Sequence, residues 1–183
     1  MDKEKVLVLH GFASIGKPFY NDTGIDYITP TFDYTDLEGT LKRMKEIIEE
    51  NKIDVIVGKS TGGWYAMKYY DLYKKAEAIF LINPLLTPEI HFKPGVYENY
   101  YTQEKINMTE EVIKDYERFK INYPFNFKGV VFLGKKDEVL DHRKALENLK
   151  PESGFEIFED EGHRFSKKAV EKVNTKIREY LFE

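Results

Sequence analysis

Ser60 is the residue with the clearest capacity for chemistry. It stands in Gly58-Lys59-Ser60-Thr61-Gly62-Gly63, a G-x-S-x-G pattern with one more glycine behind it. A serine hydroxyl is a weak nucleophile until a base takes its proton. The pattern suits that task when a strand precedes it and a helix follows, because the sharp turn between them lifts Oγ clear of the backbone. Glycines flank such a turn because a side chain there would collide with it, and the serine backbone is itself strained. The helix start also favours developing negative charge. Two plainer readings compete. One is a glycine-rich turn whose serine only caps the helix. The other is a phosphate-binding loop, since Gly58-Lys59-Ser60 matches the end of that motif. The phosphate loop needs a glycine where Ile53 stands inside an apolar run, so it is rejected.

A nucleophilic serine needs a base, and the base needs an acid to orient it. His163, in Glu161-Gly162-His163-Arg164-Phe165, lies between the last strand-like run and the last helix-like stretch. It is the candidate general base. Asp137, in Gly134-Lys135-Lys136-Asp137-Glu138-Val139, follows another buried run and is the candidate acid. Glu138 and Asp141 are its neighbouring competitors. His91 and His142 have no comparable placement. His10-Gly11-Phe12 ends the first apolar run. The backbone N–H groups of Phe12 and Thr61 are the candidate oxyanion hole, two fixed donors aimed at a tetrahedral intermediate. His10 itself reads as a structural side chain that holds its loop. Lys59 beside the nucleophile has two readings, a side chain turned to solvent or a cation that aids an anionic substrate.

The elements that must position these residues alternate along the chain. Short apolar runs at Val6–Leu9, Tyr27–Pro30, Ile53–Val57, Ile79–Ile82, Val130–Leu133 and Phe155–Phe158 predict strands. Helix spacing at Leu37–Asn51, Trp64–Tyr73, Asp141–Leu149 and Phe165–Leu181 predicts helices between them. This alternation implies βαβ units, a parallel sheet and helices on both faces. Active sites of such sheets lie at the carboxyl ends of the strands, and all four motifs fall there. Residues 87–127 show no periodicity and are rich in Tyr and Phe. They are a candidate lid or acyl pocket, with Tyr97, Tyr100 and Tyr101 as candidate lining, or else ordinary core.

Composition narrows the function class. The 183 residues fit one domain, and 42% hydrophobic with 33% charged residues is an ordinary globular balance. The net charge of −4 comes with both signs interspersed, which argues against nucleic acid as the main partner. There is no cysteine, so disulfides, thiolate metal sites and cysteine nucleophiles are excluded. No cofactor motif and no metal site is legible. No apolar run reaches the ~18 residues of a membrane span, and the N-terminus lacks the features of a signal peptide, so a cytoplasmic protein is expected.

Taken in order, HGF, G-x-S-x-G-G, Asn83-Pro84, the stretch Asp137–Ala145 and Gly162-His163 resemble the YqiA-like esterases, small α/β-hydrolases of bacteria. The resemblance implies the α/β-hydrolase fold and a Ser60, Asp137 and His163 triad that needs no metal. It also implies esterase or acyl-CoA thioesterase activity. Lys59 and Thr61 depart from the small, neutral or hydrophobic residues usual beside such a nucleophile. The substrate expected is a small ester or an acyl-CoA-like thioester, with the oligomeric state open. Rival readings are another reaction of the same triad (acyltransferase, C–C hydrolase or perhydrolase) and a binding module that kept the fold without catalysis. If His163 is the base, hydrolysis should rise with pH as the ring becomes neutral and able to take the serine proton. A flat rate from about pH 5 to 8 contradicts that role.

Overall fold

Alternate residues of the buried strands face opposite ways, and helices cover both faces. The computed structural model describes residues 2–183. Strands β1 (Glu4–Leu9), β2 (Ile25–Ile28), β3 (Val55–Lys59), β4 (Ala78–Ile82), β8 (Gly129–Gly134) and β10 (Phe155–Phe158) form one sheet. They pair in parallel, in the spatial order β2–β1–β3–β4–β8–β10. Leu7, Leu9, Ile56, Ile79, Leu81, Val131 and Leu133 share one core with helices α1 (Leu37–Asn51) and α2 (Thr61–Tyr73). Val6, Val8, Val55, Val57, Phe80 and Phe132 pack on the other face against Val173 and Ile177 of α6 (Lys167–Phe182). The continuous apolar runs of the sequence are therefore strands covered on both sides.

The polar residues before the helices supply their caps. Asp36 accepts from the Gly39 N–H at the start of α1, and Ser166 accepts from the Ala169 N–H at the start of α6. Ile53, expected to open a strand, instead closes α1. Its N–H donates to the Ile48 carbonyl after Lys52 turns left-handed, and β3 begins at Val55. At its other end β3 runs through Gly58 to Lys59 rather than stopping at Gly58. Gly58 stays in the ladder, aligned with Leu9 and Leu81. Its role is close approach, because a Cβ there would lie 2.5 Å from the Gly62 carbonyl oxygen.

Residues 87–127, expected to lack periodic structure, are built of short elements. These are α3 (Pro88–His91), the antiparallel pair β5 (Gly95–Glu98) and β6 (Lys105–Met108), α4 (Glu110–Arg118) and β7 (Phe125–Phe127). The last of these pairs with β9 (Leu149–Pro151), which follows α5 (His142–Asn148). Each element is short, yet α4 does carry helical spacing: Val112, Ile113, Tyr116 and, just past its end, Phe119 turn one face to the core, with Tyr116 fully buried. Tyr116 is a keystone. Its hydroxyl donates to the Tyr34 carbonyl (2.6 Å) and meets the Tyr65 hydroxyl (2.8 Å), which ties this segment to α2.

The strand order reverses at β1, because β2 and β3 lie on its opposite sides. Such a switch opens a crevice at the carboxyl ends of the two flanking strands. Asn83, just past β4, joins the other strand ends to it. Its side-chain oxygen accepts from the Gly134 N–H (2.8 Å), and its amide donates to the carbonyls of Gly162 (3.1 Å) and His163 (2.9 Å). Asn83 is buried and sits at φ 42°, a left-handed conformation that asparagine tolerates. Asn83→Ala should lower unfolding free energy by about 1–3 kcal/mol, because it strands a buried N–H. A shifted midpoint in urea checks this, and an unchanged midpoint would contradict the clasp.

Candidate active site

The turn from β3 into α2 holds Ser60 at φ 53° and ψ −117°. A non-glycine residue at positive φ is strained, and here the surroundings enforce it. The Ser60 N–H donates to the Ile82 carbonyl, and the Ser60 carbonyl accepts from the N–H groups of Gly63 and Leu85. Gly62 permits the turn to press on β1, since a Cβ there would lie 2.4 Å from the Leu9 carbonyl oxygen. The serine caps nothing with its side chain. Its hydroxyl is free to meet another partner.

That partner is His163. Ser60 Oγ lies 3.0 Å from His163 Nε2. On the other side of the ring, Nδ1 lies 3.1 and 3.0 Å from the two oxygens of Asp137. An ionised carboxylate only accepts, so Nδ1 carries the proton and Nε2 accepts from Ser60 Oγ. Asp137 also accepts from the N–H groups of Val139 (2.8 Å) and Leu140 (2.9 Å), and its side chain is 2% exposed. Burial pushes the carboxyl pKa up, but the His163 bond and the two amides outweigh it, and the net direction is down. The two acidic competitors are occupied elsewhere. Glu138 accepts from the His163 backbone N–H (3.0 Å) and so holds the loop, while Asp141 caps α5 and binds Arg143.

The loop after β1 lies over the serine. A Cβ at Gly11 would sit 3.6 Å from Ser60 Cβ, and Phe12 and Thr61 both line the same cavity as Ser60. Among the described residues, neither the Phe12 nor the Thr61 N–H has a protein acceptor. His10 holds this loop from below. Its Nε2 accepts from the Phe32 N–H (2.8 Å), its Nδ1 donates to the Gly11 carbonyl (2.7 Å), and its own carbonyl accepts from Tyr34 (2.7 Å). Burial lowers its pKa, the Gly11 bond opposes this, and the charge of Lys59 adds to the lowering. A neutral ring is what this donor-and-acceptor pattern requires.

The cavity above Ser60 measures about 590 Å³. Tyr100 and Tyr101 line it, as do three residues the motifs did not single out, His91, Phe92 and Arg164. Tyr97 lies one layer away. Its ring packs edge-on against Phe12 at 5.2 Å and its hydroxyl donates to the Lys93 carbonyl, so it supports the wall instead of lining it. Lys59 does not turn to solvent; it too lines the cavity. The turn carrying Tyr100 is tied down, its N–H donating to the Ala13 carbonyl while Asn99 donates to Ser14. No helix among the described residues is long and apolar enough to cross a membrane.

Solved structures share this architecture across nearly the whole chain. A monoacylglycerol lipase from Paleococcus ferrophilus superposes with a TM-score of 0.74 at 16% identity, covering 97% of this chain and 93% of its own. The alpha/beta hydrolase domain-containing protein 10 from mouse gives 0.72 at 14%, covering 97% and 89%. Est1E from Butyrivibrio proteoclasticus gives 0.71 at 14%, covering 98% and 87%. At such identities the likeness is one of fold. No curated protein sequence matches. Residues 5–180 match the family described as "Uncharacterised protein family (UPF0227)". The chain therefore belongs to UPF0227, the YqiA-like family, and has the α/β-hydrolase fold.

Proposed function

We propose that this protein is a serine hydrolase that cleaves carboxylic esters or acyl thioesters. The observation that carries the reading is the continuous contact from Ser60 Oγ to His163 Nε2 and from His163 Nδ1 to the buried Asp137. Ser60 attacks the carbonyl carbon while Nε2 takes its proton. The carbonyl oxygen becomes an oxyanion, which the N–H groups of Phe12 and Thr61 stabilise. Removal of one oxyanion-hole donor costs about 2.7–4 kcal/mol in a serine protease of different fold. The tetrahedral intermediate collapses, His163 gives its proton to the departing alkoxide or thiolate, and an acyl-enzyme remains. Water then attacks with His163 as base again and frees the acid. Asp137 keeps Nδ1 protonated and stabilises the imidazolium without taking its proton. No step calls on a metal or a cofactor.

We read residues 1–183 as a single α/β-hydrolase domain in which 87–127 forms a cap over the cavity. The monoacylglycerol lipase among the similar structures supports the ester class. The cysteine-free sequence suits a reducing compartment, and we assign the activity to the cytoplasm. A fluorophosphonate probe tests the nucleophile. It should label Ser60, and labelling should vanish in Ser60→Ala and in His163→Ala. An unlabelled wild-type protein sinks the reading in favour of a binding module. Ser60→Ala should also reduce turnover of 4-nitrophenyl butyrate on the order of 10⁴-fold, and near-normal turnover would refute the assignment.

A further inference from the structure

We propose that Lys59, Arg164 and Lys17 form an anion-binding subsite beside Ser60, and that the ester or thioester cleaved there carries a carboxylate or phosphate group. This deepens the reading given above and rests on it. Lys59 is the last residue of β3, adjacent in sequence to Ser60, and it lines the cavity. Arg164 adjoins His163, and its guanidinium carbon lies 5.2 Å from the centre of the Tyr100 ring. The Lys17 ammonium lies 3.2 Å from the centre of the Tyr101 ring. Both tyrosines line the same cavity. Lys59 and Arg164 thus line the cavity and Lys17 stands on the ring of a lining tyrosine, and the aromatic faces under Arg164 and Lys17 fix where these two cations stand.

None of the three is in an ion pair among the described residues. Elsewhere the protein pairs many of its cations, as Lys75 with Glu49, Lys135 with Glu159, Lys136 with Asp160 and Arg143 with Asp141. The carboxylate on the cavity wall, Glu138, is engaged by the His163 N–H and makes no ion pair with Lys59 or Arg164. Lys59 is half-buried, its Nζ 5.9 Å from the Phe19 ring centre. Burial pushes its ammonium pKa down, and the charges of Lys17 and Arg164 push it the same way. A desolvated cation that faces two more cations is costly alone, and a bound anion removes that cost. The remaining cavity wall includes Phe12, Phe92 and Val139, which would take the apolar part of the substrate. The cavity that holds the nucleophile therefore offers both cationic and apolar lining, a composition that suits an ester anionic at one end.

The test compares anionic with neutral esters in two arms. The acyl-side arm uses the 4-nitrophenyl monoester of glutarate against 4-nitrophenyl pentanoate. The leaving-group arm uses acetyl-coenzyme A against the acetyl thioester of N-acetylcysteamine. In one arm or both, kcat/KM should favour the anionic member about tenfold or more, and Lys59→Gln and Arg164→Gln should each cut that ratio on the order of tenfold. Arg164→Lys should keep more of it than Arg164→Gln. A general loss of activity lowers both rates together and leaves the ratio, so the ratio isolates the charge. A ratio of one or less in both arms, or one unmoved by either glutamine variant, overturns the subsite while neutral-ester hydrolysis leaves the serine hydrolase standing. If no ester is cleaved, the hydrolase reading fails instead. Glutarate and inorganic phosphate titrated into isotope-labelled protein then test the subsite alone. Shifted Lys59 and Arg164 resonances that Lys59→Gln weakens support it, and unshifted resonances overturn it.

Discussion

Helix α2 starts where it does because no side chain stands between its first turn and the ends of β1 and β3. Gly58 and Gly62 leave room for backbone against backbone, at separations that any Cβ would close. That contact forces Ser60 into positive φ and points its hydroxyl away from the sheet. Strain of this kind persists only where the surroundings over-determine it. Here the hydrogen bonds to Ile82, Gly63 and Leu85 do so. Everything that meets Ser60 inherits its position from this turn.

The other parts of the site are brought to the serine by hydrogen bonds between loops that lie far apart in sequence. Asn83 binds the end of β8, from which the Asp137 loop departs, to the loop that carries His163. The Lys136 N–H reaches the Glu161 carbonyl across the same gap. On the opposite side, His10, Tyr34, Tyr116 and Tyr65 form a buried chain of hydrogen bonds from the loop over the serine to α4. The segment above the cavity and the two candidate oxyanion donors thus share one support. Buried networks of this type, when every member is satisfied, hold a single arrangement.

Much of the sheet was legible in the sequence because its strands are buried on both faces and read as continuous apolar runs. The long helix Leu37–Asn51 was legible to the residue, since five apolar side chains at helical spacing bury one stripe. The weaker boundaries have physical reasons. Ile53 looks like a strand residue by type, yet it is consumed in closing α1. Gly58 looks like a stop, yet it belongs to the ladder because its missing Cβ serves α2. In 87–127 the three- and four-residue elements are too short to show a period. By contrast, α4 carries a cap at Thr109 and apolar residues at Val112, Ile113, Tyr116 and Phe119, a signal obscured by the aromatic residues around it.

For the site, the sequence by itself determined the residue types, their order and their placement at strand ends. Those follow from local chemistry, in that glycines allow a tight turn and an Asp and a His stand in loops after buried strands. Tertiary structure alone decided the rest. It showed how the carboxylates divide: Asp137, already the candidate acid, meets the His163 ring, Glu138 takes the His163 backbone N–H, and Asp141 turns to Arg143. It moved Tyr97 behind Phe12 and brought Arg164 and His91 to the cavity wall. Of the two readings of Lys59, solvent-facing or beside the site, it selected the second, placing Lys59 in the cavity wall with Arg164 and near the charge of Lys17. Residues that meet across distant stretches of chain leave no local pattern, so only the folded arrangement of loops on a common sheet could reveal them.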